Sequence, residues 1–147
     1  MKYYEPKHFC VQEYVSPQVY DELGDRAILL MDDRVLKTDD AIREFFGQPV
    51  TINNWHRRGN RTGSGFRAPV DMERMRKEGV KVARWSQHQF GRASDKLISG
   101  VSAEEARRAI IGNRKNFPFI TVIEDKVSWL HTDCRCVAGN NLILFNP

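Results

Sequence analysis

The stretch Ser86-Gln87-His88-Gln89-Phe90-Gly91-Arg92-Ala93-Ser94-Asp95 sets an imidazole and a carboxylate seven positions apart, with Gly91 between them. Far downstream, Trp129-Leu130-His131-Thr132-Asp133 places a second imidazole inside a strand-like run. Two His and one Asp leave the fourth position of a tetrahedral zinc site open to water, which the metal would activate. His88, Asp95 and His131 are therefore the candidate ligands. The spacing admits two geometries. Two helical turns would bring residues 88 and 95 to one face, whereas Gly91 and the small residues after it fit a strand-turn-strand better. His8 and His56 belong to no ligand pattern and read as surface or packing residues.

The pattern Ser-x-His-x-x-Gly-x-Ala-x-Asp followed by Trp-x-His resembles the zinc D-alanyl-D-alanine carboxypeptidases, including VanY-like enzymes and phage endolysin peptidases, which share a fold with the hedgehog signalling domain. Upstream, Ser64-Gly65-Phe66-Arg67-Ala68-Pro69 resembles the Ser-Gly-Tyr-Arg-Ser-Pro signature of that family. Ile52-Asn53-Asn54-Trp55 ahead of it looks like the short bacteriophage-type members. The resemblance runs from about His8 to Arg135. It implies one zinc D,D-peptidase-like domain over residues 1–147, with Zn2+ on His88, Asp95 and His131 and peptidoglycan peptides as substrate. Arg67 is implied to hold a terminal carboxylate or stabilise an oxyanion, work suited to its planar fork. Ser86 is implied to offer its hydroxyl to the substrate carbonyl, although a serine there could equally cap a local turn.

The general base departs from the family pattern. Carboxypeptidase and endolysin members usually carry an acid three residues before the last ligand, where this chain has Ser128. A serine does not take a proton from bound water near neutral pH. Glu124 and Asp125 lie seven and six residues before His131, and a hairpin could fold either over the metal. Hedgehog-type spacing places Asp125 slightly ahead. Asp133, on the strand face of His131, is a candidate to orient that ligand or serve as base. Lys96 stands where the family generally has an apolar residue.

Composition bounds these readings. An apolar fraction of 41% with 29% charged residues fits one globular domain able to bury a core. No apolar run is long enough to span a membrane, and Met1-Lys2-Tyr3-Tyr4-Glu5 does not open a signal peptide. The expectation is a chain made in a bacterial cytoplasm, virion-associated or released to the cell wall. A net charge of +4 and a pI near 9.1 suit an anionic partner such as a wall polymer, and suit solubility equally well. Cys10, Cys134 and Cys136 are an odd number without Cys-x-x-Cys spacing. They read as reduced, semi-buried thiols rather than as a structural zinc site shared with His131.

The elements that must position the ligands follow from local signals. Residues 2–15 are rich in aromatics and read as a segment packed across the core. Ser16-Pro17 opens a helix that Gly24 ends, and Asp25 to Met31 continues as a second helical piece. Thr38 with Asp39 and Asp40 predicts a helix start, with Ile42, Phe45 and Phe46 as its apolar face and Gly47 and Pro49 as its stop. Val50-Thr51-Ile52 is β-prone. The loop from His56 to Gly65 holds three glycines and three arginines and reads as a surface feature near a site. Val70 to Arg84 has helical composition. Its cations Arg74, Arg76, Lys77, Lys81 and Arg84 lack interleaved aromatics, which favours a solvated face over nucleic acid.

Ser102-Ala103-Glu104-Glu105 is a capping box opening a helix with Arg107 and Arg108 exposed, closed by Gly112 and Asn113. Phe119 to Ile123 reads as a strand, residues 124–126 as a turn and Val127 to Cys136 as the antiparallel partner. Gly139-Asn140-Asn141 makes a further turn before Leu142 to Phe145. The resulting fold class is α+β, with N-terminal helices packed on a small antiparallel sheet carrying the zinc site. Two functions then compete: a zinc metallopeptidase of peptidoglycan stem peptides, and a catalytically weak or inactive zinc-binding phage structural or interaction protein. Ser128 motivates the second. The residues do not indicate an oligomeric state.

Overall fold

The computed structural model describes residues 3–139 and 141–147, so Lys2 and Asn140, each within a segment read above, lie outside the described residues. Helix α1 (Pro17–Leu23) is capped by the Ser16 hydroxyl, which accepts from the Val19 amide, and Gly24 ends it, as the Ser-Pro and Gly signals predict. A 3-10 turn, Gly24–Leu30, follows. Helix α2 (Asp33–Phe46) starts well before the predicted Thr38. Its cap is Asp32, whose carboxylate accepts from the Arg34 amide.

Thr38, Asp39 and Asp40 are instead buried inside α2, where the Thr38 hydroxyl donates to Arg34 O one turn back and the two acids meet partners far away in the sequence. Asp40 accepts from the Tyr4 hydroxyl at 2.7 Å and from the amides of Lys7 and His8 at 2.8 and 3.1 Å. Those bonds pin the N-terminal segment across the fold, where Tyr14 and Val15 enter the core beside Ile28, Ile52, Ile110 and Ile123.

After strand β1 (Val50–Thr51) and the arginine-rich loop comes helix α3 (Pro69–Lys77). It is shorter than the predicted 70–84, since Gly79, at φ 79°, turns the chain out of the helix. Strand β2 (Ala93–Ile98) leads to helix α4 (Ala103–Gly112), whose Ser102–Glu105 capping box forms as predicted. Arg107 of α4 is buried rather than exposed, donating to the carbonyls of Val127 and Trp129 at 3.1 and 3.2 Å. Strands β3 (Val122–Glu124), β4 (Leu130–Asp133) and β5 (Ile143–Phe145) complete the sheet.

Among the described residues the chain is an α+β domain of four α-helices and one five-stranded sheet, ordered β1-β2-β4-β3-β5. The sheet is mixed, which corrects the expectation of an antiparallel one. β5 runs parallel to β3, because the chain after β4 returns by a long connection rather than by a hairpin. No helix among the described residues is long and apolar enough to cross a membrane.

The register of β2 on β4 positions the site. Asp95 lies opposite His131, and Ser94 lies opposite Thr132. Side chains alternate across a strand, so Asp95, His131 and Asp133 share one face while Ser94, Lys96 and Thr132 share the other. On that second face the fully buried Lys96 ammonium reaches Asp39 of α2 at 2.9 Å, the Ser94 hydroxyl at 2.7 Å and the Thr132 hydroxyl at 2.8 Å. A lysine can therefore stand where the resemblance expects an apolar residue.

Candidate metal centre

His88 is carried not by a strand but by a short 3-10 turn, Gln87–Phe90, which Gly91 ends at φ 63°. A Cβ on Gly91 would lie 1.9 Å from the Leu30 carbonyl oxygen, so only glycine allows the turn to pack there. Gly65 is constrained in the same way, with Tyr14 O 2.1 Å from the position of a Cβ. The segment around Gly65 is threaded between the core and the site. Phe66 donates its amide to Tyr14 O at 2.7 Å, Asp95 donates its amide to Ser64 O at 2.7 Å, and Arg67 donates its amide to His88 O at 3.1 Å.

His88, Asp95 and His131 converge, each buried, with one ligand atom apiece lying within 4.8 Å of the others. Among the described residues they are the group that could hold a metal ion. The surroundings of the rings fit that use. His88 Nδ1 lies 2.7 Å from Gly65 O, which accepts its proton and leaves the Nε2 lone pair facing Asp95 at 3.4 Å. His131 Nε2 lies 3.3 Å from Asp133 Oδ2, while Nδ1 faces Asp95 Oδ1 at 2.7 Å. Gly65 O thus fixes the tautomer of His88 and aims its Nε2 inward, whereas both ring nitrogens of His131 face carboxylates. Asp133, one of the two carboxylates on His131, is itself held by Arg135.

Electrostatics show how strongly these groups are coupled. Burial pushes the Asp95 carboxyl upward, but His88 and His131 outweigh it and hold the group well below the usual carboxylate range. Burial lowers His88, keeping that imidazole neutral and available as a ligand. Burial also opposes charge on His131, yet Asp133, Asp95 and Glu124 together lift it to about 9.

His88 and Asp95 of the triad open into a cleft of about 760 Å³ whose lining includes Arg61, Arg67, Ser86, Glu124 and Trp129. Arg67 is largely buried and donates from Nη2 to Asp95 Oδ2 at 3.0 Å and from Nε to Gly63 O at 2.6 Å. Ser86 lies on the wall formed by the irregular chain after α3. The structure puts Glu124, not Asp125, in the cleft. Glu124 is the last residue of β3, one step beyond the Ile123–Thr132 pair and level with His131, and its Oε2 is 3.9 Å from His131 Nδ1. Asp125, favoured over Glu124 by spacing alone, falls on the alternate face, where its Oδ1 lies 3.6 Å from Arg107 Nε. Ser128 lines a separate hollow beside α4.

The remaining predicted groups lie elsewhere. Cys134 is buried, while Cys10 and Cys136 are exposed. Cys10 Sγ sits 3.7 Å from His56 Nε2, and His8 pairs with Glu44 at 3.2 Å. Two further cleft residues are ones to which the sequence reading gives no site role. Arg61 reads only as one of three arginines in its loop. Trp129 reads as part of a motif, and its buried indole N–H donates to no group among the described residues. No protein-family model, curated protein or solved structure matches the chain.

Proposed function

We propose that this protein is a zinc-dependent peptide hydrolase acting on peptidoglycan stem peptides. The observation that carries the proposal is the convergence of two buried imidazoles and one carboxylate, of which His88 and Asp95 line a cleft that also holds Arg67 and Glu124. The donor set of two nitrogens and one oxygen suits zinc with one position left open. The peptidoglycan substrate rests on the resemblance of the three motifs.

His88 Nε2, Asp95 and His131 Nδ1 would hold the ion, with Gly65 O and Asp133 fixing the rings. Bound zinc supplies a Lewis-acid centre that acidifies water and polarises a carbonyl. Glu124 Oε2 is the group placed to accept a proton from attacking water and return it to the leaving amine. Arg67 presents a guanidinium, anchored through Nε and Nη2, to the charge that develops on the carbonyl oxygen. Ser86 offers a hydroxyl at the cleft wall to the neighbouring substrate carbonyl.

The test combines zinc analysis with muropeptide digestion read by mass spectrometry. Wild type should bind one zinc and yield a defined product. Glu124→Gln should retain the zinc and lose roughly a hundredfold or more in kcat, whereas Asp125→Asn should stay close to wild type. Asp95→Ala should lose both zinc and turnover. Zinc retained without any product would favour the second reading, a zinc-holding structural or interaction protein. The observation behind that reading is Ser128, which stands where the resemblance expects an acid and lies outside the cleft.

A further inference from the structure

Three arginines line the cleft, and they differ in how their charge is met. Arg67 pairs with Asp95 at 3.0 Å, and Arg74 pairs with Asp71 at 3.4 Å and Glu78 at 3.7 Å. Arg61 forms no ion pair among the described residues. Its backbone amide donates to Asn54 Oδ1 at 3.0 Å, fixing the loop. Its Nε donates to Ile52 O at 2.8 Å and its Nη2 to Asp95 O at 3.4 Å, while Nη1 takes part in no such bond. The guanidinium is thus held rigidly at the cleft beside a ligand residue, partly removed from water, with one edge unused.

A guanidinium stays charged under all ordinary conditions. Withdrawing it from water with carbonyl dipoles as its hydrogen-bond partners, and with the nearby Asp95 carboxylate already bonded to Arg67, leaves a cost that an anion entering the cleft would offset. Its pre-set fork suits a planar carboxylate in particular. Arg67 is less free for that task, since it already bonds Asp95 and Gly63 O.

We propose that Arg61 is the specificity residue that recognises a carboxylate on the peptide substrate, leaving Arg67 to the carbonyl under attack. The proposal rests on the peptide-hydrolase reading and adds to it a residue, Arg61, that reads a free carboxylate near the scissile bond. That carboxylate is either the C-terminus or an acidic side chain.

The experiment uses zinc-loaded protein and two matched peptide pairs, one differing only in a C-terminal acid or amide, the other only in a glutamate or glutamine side chain. Wild type should prefer the acid member of one pair, and that pair identifies the source of the carboxylate. Arg61→Gln should raise KM for that member by about ten- to a hundredfold, the usual worth of a charge-assisted hydrogen bond. Its kcat should change little, and the neutral partner should be unaffected. Arg61→Lys keeps the charge but not the fork, so it should retain part of the preference. Melting temperature and zinc content control for folding. Equal losses on all four peptides, or no acid preference in wild type, would overturn the assignment and leave Arg61 as a scaffold residue.

Calorimetric titration of the same peptides into zinc-loaded Glu124→Gln, with and without Arg61→Gln, separates this proposal from the hydrolase reading. If wild type cuts nothing yet Arg61 still sets acid-over-neutral binding, hydrolysis fails and Arg61 stands. If cleavage persists without that discrimination, the reverse holds.

Discussion

Replacing Asp39 by Asn should be among the most damaging single changes in this protein, although Asp39 pairs with no candidate metal ligand and does not line the cleft. The Lys96 ammonium is fully buried against Asp39, with only the Ser94 carbonyl and the hydroxyls of Ser94 and Thr132 as further partners. Neutralising Asp39 strands that cation. Breaking one side of a buried pair costs about 3–5 kcal/mol. In a domain of this size each kcal/mol moves the melting temperature by about 2–4 °C, so the fall should be roughly 6–20 °C.

Lys96→Met alone should be similarly harmful, because it leaves the Asp39 carboxylate with Ser94 as its remaining partner in this network. Burial already pushes the Asp39 carboxyl upward despite Lys96, which means that dehydration outweighs the attraction. Buried pairs of this kind contribute little net stability relative to well-packed apolar side chains. The double variant Asp39→Leu/Lys96→Met should recover most of the loss and lie within about 2 kcal/mol of wild type. Urea unfolding of the four proteins in a double-mutant cycle measures this directly. Single variants costing under about 1 kcal/mol, or a double variant as unstable as the sum of its parts, would refute the reasoning.

Removing zinc with a chelator should lower the melting temperature, since an ion present at a hundred times its dissociation constant contributes about 2.7 kcal/mol; equal melting curves with and without chelator would refute the metal site. In the stripped protein His131 titrates at about 9 against an ordinary 6.5, so the folded state holds that proton more tightly than the unfolded chain. The resulting stability is fully present below about 6.5 and is lost as pH rises through about 9. Zinc-loaded protein should show no such loss, because the ion requires the ring deprotonated; melting scans from pH 6 to 10 on both forms compare the two. Gly65→Ala should abolish zinc binding and destabilise the fold, because its methyl group meets the Tyr14 backbone rather than a movable side chain; elemental analysis and circular dichroism check both effects.

Much of the scaffold was legible locally. Ser16-Pro17, the Ser102–Glu105 box and Gly91 act through neighbours a few residues away, and they mark the boundaries they form. The triad residues were legible as a constellation because motif order substitutes for distance. What stayed hidden depended on partners far along the chain. Thr38-Asp39-Asp40 has the composition of a helix cap, yet its acids serve Lys96 and the N-terminal segment, so the true cap is Asp32. Arg107 resembles an exposed helical cation until the carbonyls of Val127 and Trp129 are seen to surround it. The order of Glu124 and Asp125 turned on where β3 pairs and how its side chains alternate, which the spacing to His131 does not encode.

The placement of Lys96 directly after Asp95 has a consequence for how this sheet finds its alignment. Moving β2 by one residue against β4 would carry every side chain to the opposite face. An ammonium would then enter the nest of imidazoles, and the Asp95 carboxylate would be driven into the packing against α2 without a cation. Both faces penalise the same error at once. The adjacent acid and base therefore act as a two-sided key, and insertions or deletions in residues 93–96 should be tolerated far less well than substitutions there that keep the alternation.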